Sequence, residues 1–216
     1  MDTQLLQRLS DKSVTKEALH EAVVADFGLL PELLKGTSFP KASVRYTCGS
    51  ILLNLSAQYP EKIYPHMDAI IELLDSEYRI LVWNALAIIA NLCRVDTEGK
   101  FDAIFDRYFS FLNNEYMVTV ANVVGNSGKI ALAKPHLIPR ITKELLKVEN
   151  IALTPHLTEE CKRVITQHAI RCFNDFFTKI PSKEQVQVLS FAKRCAQSPR
   201  ESLKKEAVAF LERWSD

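Results

Sequence analysis

Apolar residues recur along this chain at the spacing of an α-helix. In the stretch from Pro65 to Cys93 they follow one another three or four positions apart, first at Met67, Ile70, Ile71 and Leu74. This spacing places them on one face of a helix. A polar turn at residues 75–78 then precedes a longer apolar segment. Because no alternation of apolar and polar residues is sustained between tight-turn signals, the pattern predicts an all-α protein.

The helical pattern also repeats along the chain. Asn54 and Leu55 align with Asn91 and Leu92 at an offset of 37 residues, and further copies follow. A small residue marks the second helix of each copy, and these anchor positions are Ala18, Cys48, Ala85, Ala121, Ala169 and Ala207. Their intervals are 30, 37, 36, 48 and 38 residues, and the longest indicates an insertion at residues 148–158. Such periods are typical of solenoids, whose two-helix units bury their apolar faces against each other. We therefore expect a single repeat domain over residues 1–216.

Two segments carry a resemblance to known repeats. PHMDAIIELLDSEYRILVWNALAIIANLC, residues 65–93, has a proline at the start of its first helix and an asparagine followed by leucine near the end of its second. ANVVGNSG, residues 121–128, is similar to a HEAT motif. Through these segments the chain resembles the armadillo/HEAT repeat superfamily over nearly its whole length. The resemblance implies an all-α fold, a right-handed α-solenoid of about six two-helix HEAT/armadillo-like repeats.

In such solenoids the second helices line a concave face, and the repeat alignment predicts which residues they present there. The predicted partner-binding residues are Thr47, Ser50, Asn54, Asn84, Asn91, Ser127, His168, Arg171 and Asp175. The middle repeats contribute small, uncharged polar groups, which suit the main chain or a helix of another protein. Asn54 and Asn91 match the asparagine of peptide-binding armadillo proteins. Ser50 and Ala87 stand where those proteins carry tryptophan, which separates this chain from a peptide ladder of the nuclear-import type.

Two interpretations of His168, Arg171 and Asp175 remain open. Their spacing of three and seven positions puts them on one helix face, where they could hold a carboxylate or a phosphate. The alternative is a solvated face on which Arg171 pairs with Asp175. No nucleophile stands beside the histidine in the sequence, so a catalytic triad is not predicted.

Other motifs give no catalytic residue, cofactor or metal. GNSGKI, residues 125–130, lacks the spacer and the hydroxyl residue of a phosphate-binding loop. The five cysteines contain no C-x-x-C pair and are expected to be reduced. Three Pro-His pairs occur, and we expect His66 and His136 to lie exposed at the starts of first helices. His156 falls in the insertion, where we expect it to link helices rather than to bind a ligand.

Charge suggests a second class of partner. The net charge is only +1, but residues 1–128 carry a net −5 and residues 129–216 a net +6. Arg140, Lys143 and Lys147 form a basic stripe on one outer helix. This asymmetry keeps nucleic-acid binding open, as in HEAT-like DNA glycosylases. No apolar run reaches the roughly 18 residues of a membrane span, and no signal peptide is evident, so we expect a cytoplasmic protein.

The sequence therefore predicts a non-catalytic scaffold or adaptor that binds another protein or peptide on its concave face. The alternative is a nucleic-acid-binding protein that uses its basic C-terminal half. An enzyme built on a HEAT scaffold, such as a bilin lyase, is a third possibility for which no substrate-binding residue can be named. The pattern does not determine the oligomeric state.

Overall fold

The computed structural model describes residues 3–215, which form helices joined by short turns. The α-helices among them are α1 (Thr3–Ser10), α2 (Lys16–Ala25), α3 (Leu30–Gly36), α4 (Ala42–Gln58), α5 (Pro60–Ile63), α6 (Met67–Glu72), α7 (Arg79–Leu92), α8 (Lys100–Ser110), α9 (Met117–Ala133), α10 (Ile138–Leu146), α11 (Glu159–Phe176), α12 (Ser182–Cys195) and α13 (Glu201–Trp214). Within these residues the only β contact is an isolated bridge between Thr154 and Leu157. The predicted all-α class is confirmed.

Local sequence explains where the helices begin. Proline opens α5 at Pro60, where its missing N–H would have no helical partner. Thr158 caps α11 by accepting a hydrogen bond from the Cys161 amide at 3.3 Å. The polar turns before α7 and α9 have the same geometry. Ser76 Oγ accepts from the Tyr78 amide at 3.2 Å, and Asn114 Oδ1 accepts from the Tyr116 amide at 3.0 Å.

The chain divides into two compact units, Met1–Lys100 (unit 1) and Phe101–Asp216 (unit 2). In unit 1, α4 packs along α7 and α3 packs on α4. At the α3–α4 contact, a Cβ added to Gly36 would overlap Cys48 Sγ and lie 2.8 Å from Leu6 Cδ2. In unit 2, α11 packs between α9 and α13. Each unit therefore holds neighbouring second helices in contact, which positions their exposed faces side by side.

Burial corrects the predicted repeat register. Cys48, Ala85, Ala169 and Ala207 are fully buried, as predicted for anchors. Ala121 is only half-buried, and the residues buried in α9 follow the α7 pattern when Val123 is set in the place of Ala85. Ala18 is exposed, whereas Leu19 and Val23 face the core of unit 1. The anchors from position 48 onward are therefore 48, 85, 123, 169 and 207, at intervals of 37, 38, 46 and 38 residues.

Candidate partner-binding surface

In each unit the second helices leave a line of residues at the surface. It comprises the positions one before, two after and six after each buried anchor, and we call it the exposed stripe. In unit 1 it consists of Thr47, Ser50 and Asn54 on α4, with Asn84, Ala87 and Asn91 on α7. In unit 2 it consists of Asn122, Gly125 and Lys129 on α9, His168, Arg171 and Asp175 on α11, and Glu206, Ala209 and Arg213 on α13. All of these residues are half-buried or exposed.

The stripe of unit 1 is neutral and rich in carboxamides. Asn91 Nδ2 donates to Ser56 Oγ at 3.0 Å, which orients the amide. Ser50 Oγ accepts from Lys16 Nζ at 2.7 Å. The side chains of Asn54 and Asn84 make no hydrogen bond within residues 3–215. A carboxamide both donates and accepts, so these two amides can pair with the N–H and C=O groups of another chain.

A cavity of about 330 Å³ lies beside Asn54, where α2 meets α4. Its lining is polar throughout and consists of Lys16, Glu17, His20, Glu21, Asn54 and Gln58. Of these, Glu17, Glu21 and Gln58 have side chains without a hydrogen-bond partner in the described part of the chain. The exposed stripe therefore continues at α2 into a recess whose polar groups are available to a ligand.

Ser127 is not part of the exposed surface, and its prediction as a partner-binding residue was wrong. Its side chain is fully buried, and its Oγ donates to the Val123 carbonyl at 2.8 Å. The error arose because Ala121 was chosen as the anchor for its size. The apolar spacing of Val120, Val123 and Val124 was the better signal, since all three are fully buried. In the corrected register α9 presents Asn122, Gly125 and Lys129 instead.

His168, Arg171 and Asp175 do lie together on the exposed side of α11. Arg171 Nε, however, contacts Glu206 Oε2 of α13 at 3.0 Å, so the predicted pairing with Asp175 was wrong. Burial, together with the nearby positive charge of Arg171, lowers the pKa of His168. Burial raises the pKa of Asp175. A neutral histidine and an arginine already paired with a carboxylate are poorly suited to hold an anion.

Several basic groups of unit 2 are paired with carboxylates. In the predicted basic stripe, Arg140 pairs with Asp106 at 2.7 Å and Lys147 pairs with Glu144 at 2.6 Å. Elsewhere, Arg194 contacts Glu149 at 2.6 Å. A carboxylate beside each of these three groups weakens their attraction for phosphate.

The Pro-His pairs lie just before first helices and in the insertion. His136 is exposed before α10, as expected, and its Nε2 contacts the Asp102 carboxylate. His66, just before α6, was expected to be exposed but is half-buried. His156 links elements of unit 2, because its carbonyl accepts from the Met117 amide at 3.3 Å. Residues 3–215 contain no group of three His, Cys, Asp or Glu side chains that could hold a metal ion.

The cysteines are free thiols in the structure. Burial raises the pKa of Cys48, Cys172 and Cys195 to about 12. These thiols therefore stay protonated at neutral pH and are poor nucleophiles.

Known structures resemble this chain in fold. No protein-family model matches it, and no curated protein sequence matches it significantly. A computationally designed armadillo repeat protein for modular peptide recognition superposes with a TM-score of 0.62, at 17% identity, over 98% of this chain and 99% of that one. A designed armadillo repeat protein in complex with the peptide (KR)4 gives 0.60 at 18% identity, over 97% of this chain and 91% of that one. A further designed armadillo repeat protein gives 0.58 at 18% identity, over 96% and 90%.

The fold is that of an armadillo-type α-solenoid. This confirms the armadillo/HEAT-like fold expected from the sequence. Within residues 3–215 of this armadillo-type chain, the helices follow one another as six first–second pairs, which end in α2, α4, α7, α9, α11 and α13. None of the helices within residues 3–215 has the length and apolar character needed to cross a membrane.

Proposed function

We propose that the protein is a non-catalytic scaffold that binds an extended segment of another protein along its exposed stripe. The observation that carries this proposal is the neutral stripe of α4 and α7, in which the Asn54 and Asn84 carboxamides have no hydrogen bond to any other group of residues 3–215. Such amides pair with peptide groups whatever the side chains of the partner. The stripe therefore suits recognition of a main chain.

The spacing of the helices supports an extended partner. Packed helices lie about 8–10 Å apart, and an extended chain advances about 3.3 Å per residue. Asn54 and Asn91 occupy equivalent positions on α4 and α7, which pack on each other. One partner chain running across both helices would thus meet the two carboxamides about three residues apart.

The similar structures support this mode of binding, since one was designed for modular peptide recognition and another holds a peptide. The stripe of this chain differs in offering Ser50 and Ala87 where peptide-binding armadillo proteins carry tryptophan. Side chains of the partner would therefore have no tryptophan rings to pack against at these positions. Selectivity would come from the polar recess at α2.

The proposal is tested by recovery of partners from native lysate, quantified by mass spectrometry. The Asn54→Ala/Asn91→Ala double variant removes both equivalent amides. With a hydrogen bond contributing about 1 kcal/mol, we expect it to recover at least one partner roughly tenfold less than the wild type. Gln187→Ala, which removes an exposed carboxamide from α12, is the matched control and should recover that partner normally. Equal recovery of every partner by all three proteins would contradict the proposal.

A further inference from the structure

Unit 1 has a second open surface at the edge where α7 begins, and its lining shares no residue with the exposed stripe. Two adjoining cavities of about 460 Å³ each lie there, and both are lined by Glu77 and Tyr78. We call the two cavities together the edge groove. Their size is within the range of ligand-binding pockets, about 300–1,000 Å³.

The first cavity combines an apolar floor with an acidic rim. Three leucines form the floor: Leu34 on α3, Leu73 in the turn that follows α6, and Leu81 on α7. The carboxylates of Glu72, Asp75 and Glu77 also line it, and no basic side chain does. A positively charged group with an aliphatic stem matches this lining, because the stem can pack on leucine while the charge faces the carboxylates.

The second cavity is aromatic. Its lining includes the rings of Tyr46, Tyr78 and Trp83, together with Ile80, which is 39% exposed, and one base, Arg79. Aromatic faces attract cations and apolar side chains alike. The edge groove therefore offers an apolar and aromatic surface directly beside a cluster of carboxylates.

A buried arginine fixes the wall that both cavities share. The Arg45 guanidinium lies 3.8 Å from the centroid of the Tyr78 ring, and its Nη1 donates to the carbonyls of Phe39 and Pro40 at 2.8 and 2.6 Å. Arg45 is only 7% exposed and lines neither cavity. Tyr78 is thus held in place before any ligand arrives, which lowers the entropy cost of binding.

In unit 2, an extended segment of the chain covers the edge that is equivalent to the edge groove. In the corrected register Glu77 and Tyr78 align with Glu115 and Tyr116. There the chain's own insertion covers the edge. The His156 ring stacks on Tyr116 at 4.5 Å, and Thr154 Oγ1 donates to the Glu115 carbonyl at 2.6 Å.

No such insertion follows α7, since only 38 residues separate its anchor, Ala85, from Val123, against 46 between the anchors of α9 and α11. The same edge is therefore covered by an extended segment of the chain in unit 2 and left open in unit 1.

We propose that the edge groove binds an extended segment of a partner protein that carries a lysine or arginine next to an apolar side chain. The basic group lies among Glu72, Asp75 and Glu77, and the apolar side chain packs on Ile80 and Trp83. Its lining shares no residue with the exposed stripe, so the proposal stands whether or not the stripe binds a main chain.

The test uses the ¹⁵N-labelled full chain and the capped peptide Ala-Lys-Leu-Lys-Ala, with Ala-Glu-Leu-Glu-Ala as the charge control. The two tryptophans give two indole N–H signals, one from the groove and one from Trp214, whose Nε1 donates to Asn174 Oδ1 at 2.9 Å. We expect the lysine peptide to shift the Trp83 indole signal and the amides of residues 76–83. The Trp214 signal should stay in place, and the acidic peptide should shift neither.

Variants locate the binding site of the peptide. The Glu72→Gln/Glu77→Gln double variant should bind the lysine peptide more weakly, with a dissociation constant raised roughly fivefold or more. Glu61→Gln/Glu98→Gln removes two carboxylates of unit 1 outside the groove and should bind like the wild type, as should Asn54→Ala/Asn91→Ala. The proposal is overturned if the Trp83 signal does not move at millimolar peptide, or if the acidic peptide acts equally. It is also overturned if the groove variant binds normally, or if only the stripe variant loses binding.

Discussion

At the scale of single residues, helix contacts in this protein depend on positions that have no room for another atom. Gly36 is one, because Cys48 and Leu6 close around it. Gly125 is the opposite case. It lies exposed in the middle of α9, and an added Cβ would meet only His168 Nδ1, at 3.9 Å. Glycine at the first site is required by packing, whereas at the second it only weakens the helix.

These two glycines give a matched prediction. Gly36→Ala should lower the free energy of unfolding by about 1–3 kcal/mol, since the added methyl overpacks the α3–α4 contact. Gly125→Ala should raise it by about 0.5–1 kcal/mol, because alanine favours the helix and meets no obstacle. Urea unfolding of both variants checks this. A stabilised Gly36→Ala protein would show that the contact is looser than the structure indicates.

Asp102 predicts a pH dependence of stability. Its partial burial raises its pKa, but hydrogen bonds with His136 and Lys134 outweigh this, and the net result is a pKa below the ordinary value of 3.8. A carboxyl whose pKa is lowered by folding stabilises the folded state above its unfolded pKa. That contribution is lost as the pH falls through the lower, folded pKa.

The Asp102→Asn variant should therefore have a lower free energy of unfolding than the wild type at pH 6. The difference between the two proteins should be smaller at pH 3. Urea unfolding at the two pH values measures both differences. A gap of the same size at pH 3 and pH 6 would contradict the role given to this carboxylate.

At the scale of helices, much of the fold could be predicted from the sequence, because apolar spacing and turn residues are local signals. The turns before α7 and α9 and the buried anchors Cys48 and Ala85 are examples. The α9 register was missed because a valine, not a small residue, occupies the anchor there. Ser127 was misplaced for the same reason. The Arg171–Glu206 pair joins α11 to α13 and could not be inferred from the spacing within one helix.

The anchors themselves give a second packing test. Ala85 and Ala207 are both fully buried. Ala85→Leu should destabilise the protein by about 1–3 kcal/mol, because α7 is flanked by further helices of unit 1. Ala207→Leu should cost less, because α13 packs chiefly on α11 and α12 and no later helix lies within residues 3–215 to resist a shift. Urea unfolding measures the loss in free energy of unfolding for each variant. Equal losses would contradict this prediction and would mean that the surroundings of Ala207 are packed as tightly as those of Ala85.

At the scale of the whole molecule, the opposite charges of the two halves suggested nucleic-acid binding, but some of the basic groups in the second half are paired with carboxylates. Arg140, Lys147 and Arg194 each contact a carboxylate. Which charges pair could not be predicted, since partners such as Glu149 and Arg194 lie 45 positions apart. Composition alone therefore does not tell which basic groups stand without a carboxylate beside them.

Titration with a DNA duplex at two salt concentrations tests this conclusion. Phosphate binding releases counterions, so affinity would fall steeply between 50 and 200 mM salt if several phosphates were contacted. We expect no binding with that dependence. Tight binding at low salt that weakens by orders of magnitude at high salt would instead favour the nucleic-acid alternative.

The central claim, that a partner chain lies on the exposed stripe, is tested most directly by photo-crosslinking in native lysate. The photoreactive residue p-benzoylphenylalanine would replace Ala87, a stripe position with no polar group to lose, and in a separate protein Gln187 on α12 as the control. We expect one partner protein to be crosslinked from position 87 and not from position 187, and to be lost when Asn54→Ala and Asn91→Ala are added. Crosslinking of no protein from position 87, or of the same proteins from both positions, would contradict the account.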